Sequence, residues 1–225
     1  MRKKSLRYFA AAMFSVVFMS MPCAHVSAEG VPASPDIGPP IQKETVTLWE
    51  AYDAFDQSTW LWKDSGQRVS DMQAYCDILL DSMGVPYDVT VEVYDGDKAP
   101  EPFRNYMAYC DNSLKRIYLN SKYSTSTPQV VFDVAHESRH IWQFYCKDNP
   151  GNEYERSIAA AMDVYVFPET AGMGAYEEQL AEQDANTYAR EALHSYSYVM
   201  NMKYGACGGN IGTAIWSKDG ITEEQ

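Results

Sequence analysis

Apolar residues between Val69 and Met83 recur at three- and four-residue steps, at Met72, Tyr75, Cys76, Leu79 and Met83. That spacing predicts an amphipathic helix, with Gly84 as its stop and Pro86 just beyond. The period then changes to two. Val89-Thr90-Val91-Glu92-Val93 alternates and is β-branched, which predicts a strand. Tyr106 to Cys110 and Arg116 to Leu119 predict two more, and Asp111-Asn112-Ser113 between them is turn chemistry, so these two should form a hairpin. A helical pattern returns with Val130, Val131, Val134, Ile141 and Phe144. Thr127 would cap this helix, with Pro128 at its first position. Asp148-Asn149-Pro150-Gly151 would end it. A short helix is expected at Ile158 to Met162, then a loop at Pro168, Gly172 and Gly174. A second long helix should run from about Tyr176 to Met200, followed by a loose, glycine-rich tail. Near the start, Trp49, Tyr52, Phe55, Trp60 and Trp62 predict a short helix and turn whose aromatic residues join the core. The class is α+β, with no internal repeat.

The first residues change the picture of the ends. Arg2, Lys3, Lys4 and Arg7 precede an apolar run from Phe9 to Met21, and Val26-Ser27-Ala28 resembles a signal-peptidase site. Residues 1–28 therefore read as a signal peptide, cut near Ala28, and the run is shorter than the about 20 apolar residues of a membrane span. Ser20-Met21-Pro22 before Cys23 is a poor lipobox. Residues 29–45, with Pro32, Pro35, Pro39 and Pro40, read as a flexible leader. Residues 46–225 are expected to form a single domain, secreted or extracytoplasmic, with no stable membrane insertion.

The whole chain has 18 Lys and Arg against 31 Asp and Glu. Without residues 1–28, which hold four basic and no acidic residues, the balance is 14 − 31 = −17. Such a chain repels phosphate backbones, which excludes nucleic acid as an expected partner. Cys76, Cys110, Cys146 and Cys207 remain, and an even count in an exported chain favours two disulfides, with three pairings open.

The candidate chemistry lies in His136-Glu137-Ser138-Arg139-His140. Residues four apart share a helix face, so both imidazoles can reach one Zn²⁺. Glu137 between them can take a proton from a water. Ser138 has no base of its own and is not expected to be a nucleophile. A third ligand is required if water is to keep the fourth position. Glu182 is the stronger candidate, because Ala185, Asn186 and Ala189 share its face and let two helices approach closely. Glu177 and Glu178 are weaker ones, and His194 is the only other histidine after residue 28. Asp133 and Asp184 could orient the imidazoles. Arg139, Tyr176, Tyr188 and His194 could assist a substrate oxygen.

Together, His136-Glu137-x-x-His140 and Glu182-x-x-Ala185-Asn186-x-Tyr188-Ala189 resemble the ImmA/IrrE-type zinc metallopeptidases, a minimal gluzincin-like group whose second motif is E-x-x-A-N-x-F-A. Tyr188 stands where that group has Phe. The resemblance covers residues 68–200 and implies a minimal zincin-like core: a small three-stranded sheet, the H-E-x-x-H helix and a following glutamate-bearing helix. It also implies His136, His140 and Glu182 as zinc ligands, Glu137 as general base, and a peptide or protein substrate. The gap between His140 and Glu182 is longer than in that group, so residues 150–174 read as an insertion. An exported binding module on the same fold, with a structural metal or none, is the alternative expectation.

Overall fold

A computed structural model describes residues 47–204 and the backbone of 215–217 and 220–222. The expected signal peptide, the proline-rich leader and Cys207 lie outside the described residues. Two short helices come first, α1 (Leu48–Ala54) and α2 (Gln57–Trp60). The sequence pattern predicts one helix and a turn here, but Asp56 accepts from Ser58 N–H and caps a second helix. Tyr52, Phe55 and Trp60 are buried as expected, whereas Trp49 and Trp62 are exposed.

Helix α3 (Ser65–Ser82) starts a turn before Val69, because Asp64 and Gln67 form a capping box. It ends at Gly84, whose φ of +73° is the left-handed stop that glycine adopts without a Cβ penalty. Strands β1 (Thr90–Tyr94), β2 (Ala108–Asp111) and β3 (Arg116–Asn120) make a sheet of order β1-β3-β2. β1 runs parallel to β3 with Val91 opposite Ile117, and β2 is antiparallel with Cys110 opposite the same Ile117. The β2–β3 hairpin turns at Asp111, whose Oδ1 accepts from the Ser113 and Leu114 N–H groups. Val91, Ala108, Cys110, Ile117 and Leu119 form the buried face.

Helix α4 (Thr127–Asp148) lies across the middle of the molecule. It touches α3, the sheet, α5 and α8, so it is buried nearly all round. Its cap is Ser126 rather than Thr127, one residue earlier than expected. The Thr127 hydroxyl is instead buried, 2.9 Å from both Gln57 Oε1 and the Tyr196 hydroxyl.

The expected loop after residue 163 is largely helical. Helix α5 (Glu153–Asp163) is capped by Asn152 and Glu155, and α6 (Pro168–Ala171) and α7 (Met173–Glu178) follow. Helix α8 (Leu180–Tyr204) begins four residues after Tyr176, because Gln179 is extended and breaks the run. α8 lies against α4 through Ala181, Ala185 and Ala189, spaced one turn apart and all fully buried. Strands β4 (Ile215–Ser217) and β5 (Gly220–Thr222) pair antiparallel. Among the described residues no helix is long and apolar enough to cross a membrane.

The cysteines differ from expectation. Cys76, Cys110 and Cys146 are buried and unbridged. Two disulfides from four cysteines would have to join two of these three, so that arrangement is not formed. Each instead packs as a small apolar residue in the core, on α3, β2 and α4 respectively. Burial pushes the Cys76 thiol up to about 12, which keeps it in the unreactive thiol form.

Candidate metal centre

One turn of α4 places His136 and His140 on the same face, with their Nε2 atoms 2.9 Å apart. Glu182, in the first turn of α8, meets both: Oε2 is 3.4 Å from His136 Nε2 and Oε1 is 3.1 Å from His140 Nε2. The small-residue face of α8 makes this approach possible. All three side chains are buried and together could hold a metal ion, each offering one donor atom. A tetrahedral cation with bonds of about 2.0–2.1 Å separates its ligands by roughly 3.3 Å, close to the spacings here.

The electrostatics follow from three titratable groups in a dry site. Burial and the neighbouring His140 pull His136 down to about 4. Burial acts against charge on His140 too, but the Glu182 carboxylate overcomes it and raises this imidazole to about 9. The same pairing, working against burial, holds the Glu182 carboxyl well below the usual carboxylate range.

His140 is also oriented from behind. Its Nδ1 is 2.8 Å from Gln143 Oε1, one turn along α4. Gln143 Nε2 donates to the Ala181 carbonyl at 2.8 Å and to Asp184 Oδ2 at 2.7 Å. Both of those partners are acceptors, so the amide nitrogen is fixed on their side and Oε1 accepts from Nδ1–H. Neutral His140 is thereby left with its lone pair on Nε2, facing the centre. Asp184 is held in turn by Arg139, through bonds of 2.8 and 3.0 Å. Asp184 thus supports the imidazole through Gln143 rather than by touching it. Asp133 hydrogen-bonds Gln129 at 2.7 Å.

Glu137 is buried at the centre but is not part of the ligand group. Neither of its oxygens has a hydrogen-bond partner apart from the Cys110 thiol that faces it. Burial raises this carboxyl to about 8. Ser138 points away, toward Cys76 on α3 at 3.5 Å.

Of the residues expected to assist a substrate oxygen, only Tyr176 belongs to the surroundings of the centre, buried beside Tyr165. Arg139 is spent on Asp184 and stacks over Trp142, with Tyr188 nearby. His194 lines a surface cleft with Leu48, Trp49 and Tyr198. Glu177 and Glu178 are exposed on α7. The sequence reading missed Tyr165, whose hydroxyl donates to Glu182 Oε1. It also missed Gln143, although a carboxamide three residues after His140 on the same helix is a readable signal.

Comparison with protein-family models, with curated proteins and with solved structures finds no match.

Proposed function

We propose that the chain is an exported zinc-dependent peptidase, with His136, His140 and Glu182 as ligands and Glu137 as general base. The observation that carries this reading is the convergence of two imidazoles and one carboxylate, with a second carboxylate beside them that is not a ligand. Two nitrogens and one oxygen suit zinc and leave one position for water or substrate. When bound, zinc supplies Lewis acidity, lowering the pKa of a water and polarising a peptide carbonyl.

The chain's own residues do the rest. Glu137 accepts the proton of the attacking water and passes it to the leaving amine. Its freedom from strong hydrogen bonds leaves both oxygens available for that transfer. Gln143 keeps His140 in the ligating tautomer, and Asp184 with Arg139 keeps Gln143 in place. The surrounding aromatic residues exclude bulk water. The likeness of the two motifs to ImmA/IrrE-type metallopeptidases, and of the sheet and two helices to a minimal zincin core, supports the same reading. The net charge of −17 after residue 28 favours a peptide or protein substrate over nucleic acid.

One observation favours a second reading. The centre is fully buried, as a structural metal site in a binding module would be. Purified protein should bind one zinc per chain, and Glu137→Gln should keep the zinc and the fold. That variant should lose at least about a hundredfold in hydrolysis of a peptide library, because its amide cannot accept a proton. Equal cleavage by both proteins would remove Glu137 as the base. Zinc binding with no cleavage, and no binding of a hydroxamate peptide mimic, would favour the binding module.

A further inference from the structure

We propose that Tyr165 is a positioning residue for the metal centre. By engaging Glu182 Oε1 through its hydroxyl, it would leave Oε2 as the single ligand atom of that carboxylate. This rests on the zinc reading and deepens it. Three observations carry it. The Tyr165 hydroxyl donates to Glu182 Oε1. Its ring also meets the second ligand, standing edge-on to His140 with centroids 6.2 Å apart and planes at 90°. Finally, the backbone next to the tyrosine is held by two hydrogen bonds to one side chain. The next residue, Val166, gives its N–H to Gln179 Oε1 at 3.1 Å and accepts from Gln179 Nε2 at 3.0 Å. Gln179 is the extended residue between α7 and α8, three positions before Glu182. The segment bearing Tyr165 and the helix start bearing Glu182 are therefore fastened to each other.

The chemistry explains why a hydroxyl at this point matters. A carboxylate can bind a metal through one oxygen or through both. Binding through both fills an extra position and crowds the place of the water. A donor on one oxygen disfavours that mode and fixes the carboxylate plane. Tyr165 lies within the stretch that reads as an insertion, so this support belongs to the added segment and not to the two motifs.

The experiment compares Tyr165→Phe with Tyr106→Phe. The first keeps the ring and its packing and removes only the hydroxyl. The second removes a tyrosine–glutamate bond that ties the same segment to the chain ahead of β2, from Tyr106 to Glu169, neither of them a ligand. Zinc affinity is read by competition with a chromophoric chelator, and coordination by the absorption spectrum of the cobalt(II)-loaded protein. Tyr165→Phe should bind zinc about 10- to 100-fold more weakly, with a cobalt spectrum shifted toward higher coordination. Tyr106→Phe should match wild type in both, and all three metal-free proteins should unfold at similar temperatures. Wild-type affinity and spectrum in Tyr165→Phe would overturn the inference. An equal loss in both variants would also overturn it, by assigning the effect to closure of the segment. A wild-type protein that binds neither metal would instead sink the zinc reading, and this inference with it.

Discussion

Gln143 determines which nitrogen His140 offers to the centre. Its amide oxygen faces Nδ1 at 2.8 Å, and its amide nitrogen is committed to Ala181 and Asp184, so the hydrogen-bond directions admit one assignment. A ligand histidine needs this support, because the wrong tautomer puts a proton where the metal should be. Gln143→Leu keeps volume on a buried face and removes the acceptor. Zinc affinity should fall about 10- to 100-fold in chelator competition, the usual range for losing such a partner. Unchanged affinity would mean that the bond does not select the tautomer.

The α4–α8 interface makes a second, steric prediction. Ala185 and Ala189 have no exposed surface, and they face the helix that carries both histidines. A larger side chain must push α8 outward and carry Glu182 with it. Ala185→Leu should cost about 1–3 kcal/mol in urea unfolding of the metal-free protein. It should also weaken zinc binding, although residue 185 is not a ligand. A variant of normal stability and normal affinity would show that the helices have room between them.

Asp133 gives a pH dependence with a definite sign. Burial raises its carboxyl to about 8, against one hydrogen bond from Gln129 that lowers it, and Oδ2 has no partner. The unfolded chain should titrate near 3.9. Because the folded value is the higher one, the group contributes stability below about pH 4 and loses it as pH rises toward 8. The loss can reach about 5–6 kcal/mol across that window, at about 1.4 kcal/mol for each pKa unit. In Asp133→Asn the metal-free protein should show a flatter stability profile between pH 4 and 8 and a higher melting temperature at pH 7. Identical profiles would place the titration elsewhere.

Much of this was legible in local pattern. The 15 residues from Val69 to Met83 and the alternation at Val89 to Val93 give α3 and β1 because period alone separates the two states. His136 and His140 meet because four residues are one helical turn, and Glu182 was legible through the small residues on its face. Helix α5 was only partly read. Its periodic apolar signal is confined to Ile158 and Met162, yet the Asn152–Glu155 capping box was present in the sequence. Tyr165 left no such trace. Its place over Glu182 depends on the direction of α5 and on the break at Gln179, which are tertiary outcomes. The cysteine count misled for a related reason, since parity says nothing of how far apart Cys76, Cys110 and Cys146 lie once buried.

The last prediction separates Glu182 from the two acids that precede it. A helix running unbroken from Tyr176 would place Glu178 one turn before Glu182 on the same face, as an equally plausible ligand. The break at Gln179 removes that equivalence. Glu177 and Glu178 end on α7 in solvent, while Glu182 is buried in the first turn of α8, 3.1 Å from His140 and 3.4 Å from His136. The partial positive charge of the α8 N-terminus also favours a carboxylate there. Glu182→Ala should therefore lose most bound zinc after dialysis, because two imidazoles alone rarely hold it. It also leaves raised His140 without its counter-charge in a dry site, so the metal-free variant should unfold at lower temperature. Glu177→Ala and Glu178→Ala should retain full zinc and wild-type stability, as surface changes usually do. Zinc analysis of the three proteins decides the matter. Emptying of the site by Glu178→Ala, with Glu182→Ala still loaded, would mean that the chain between α7 and α8 runs in a different register and that the ligand set must be redrawn.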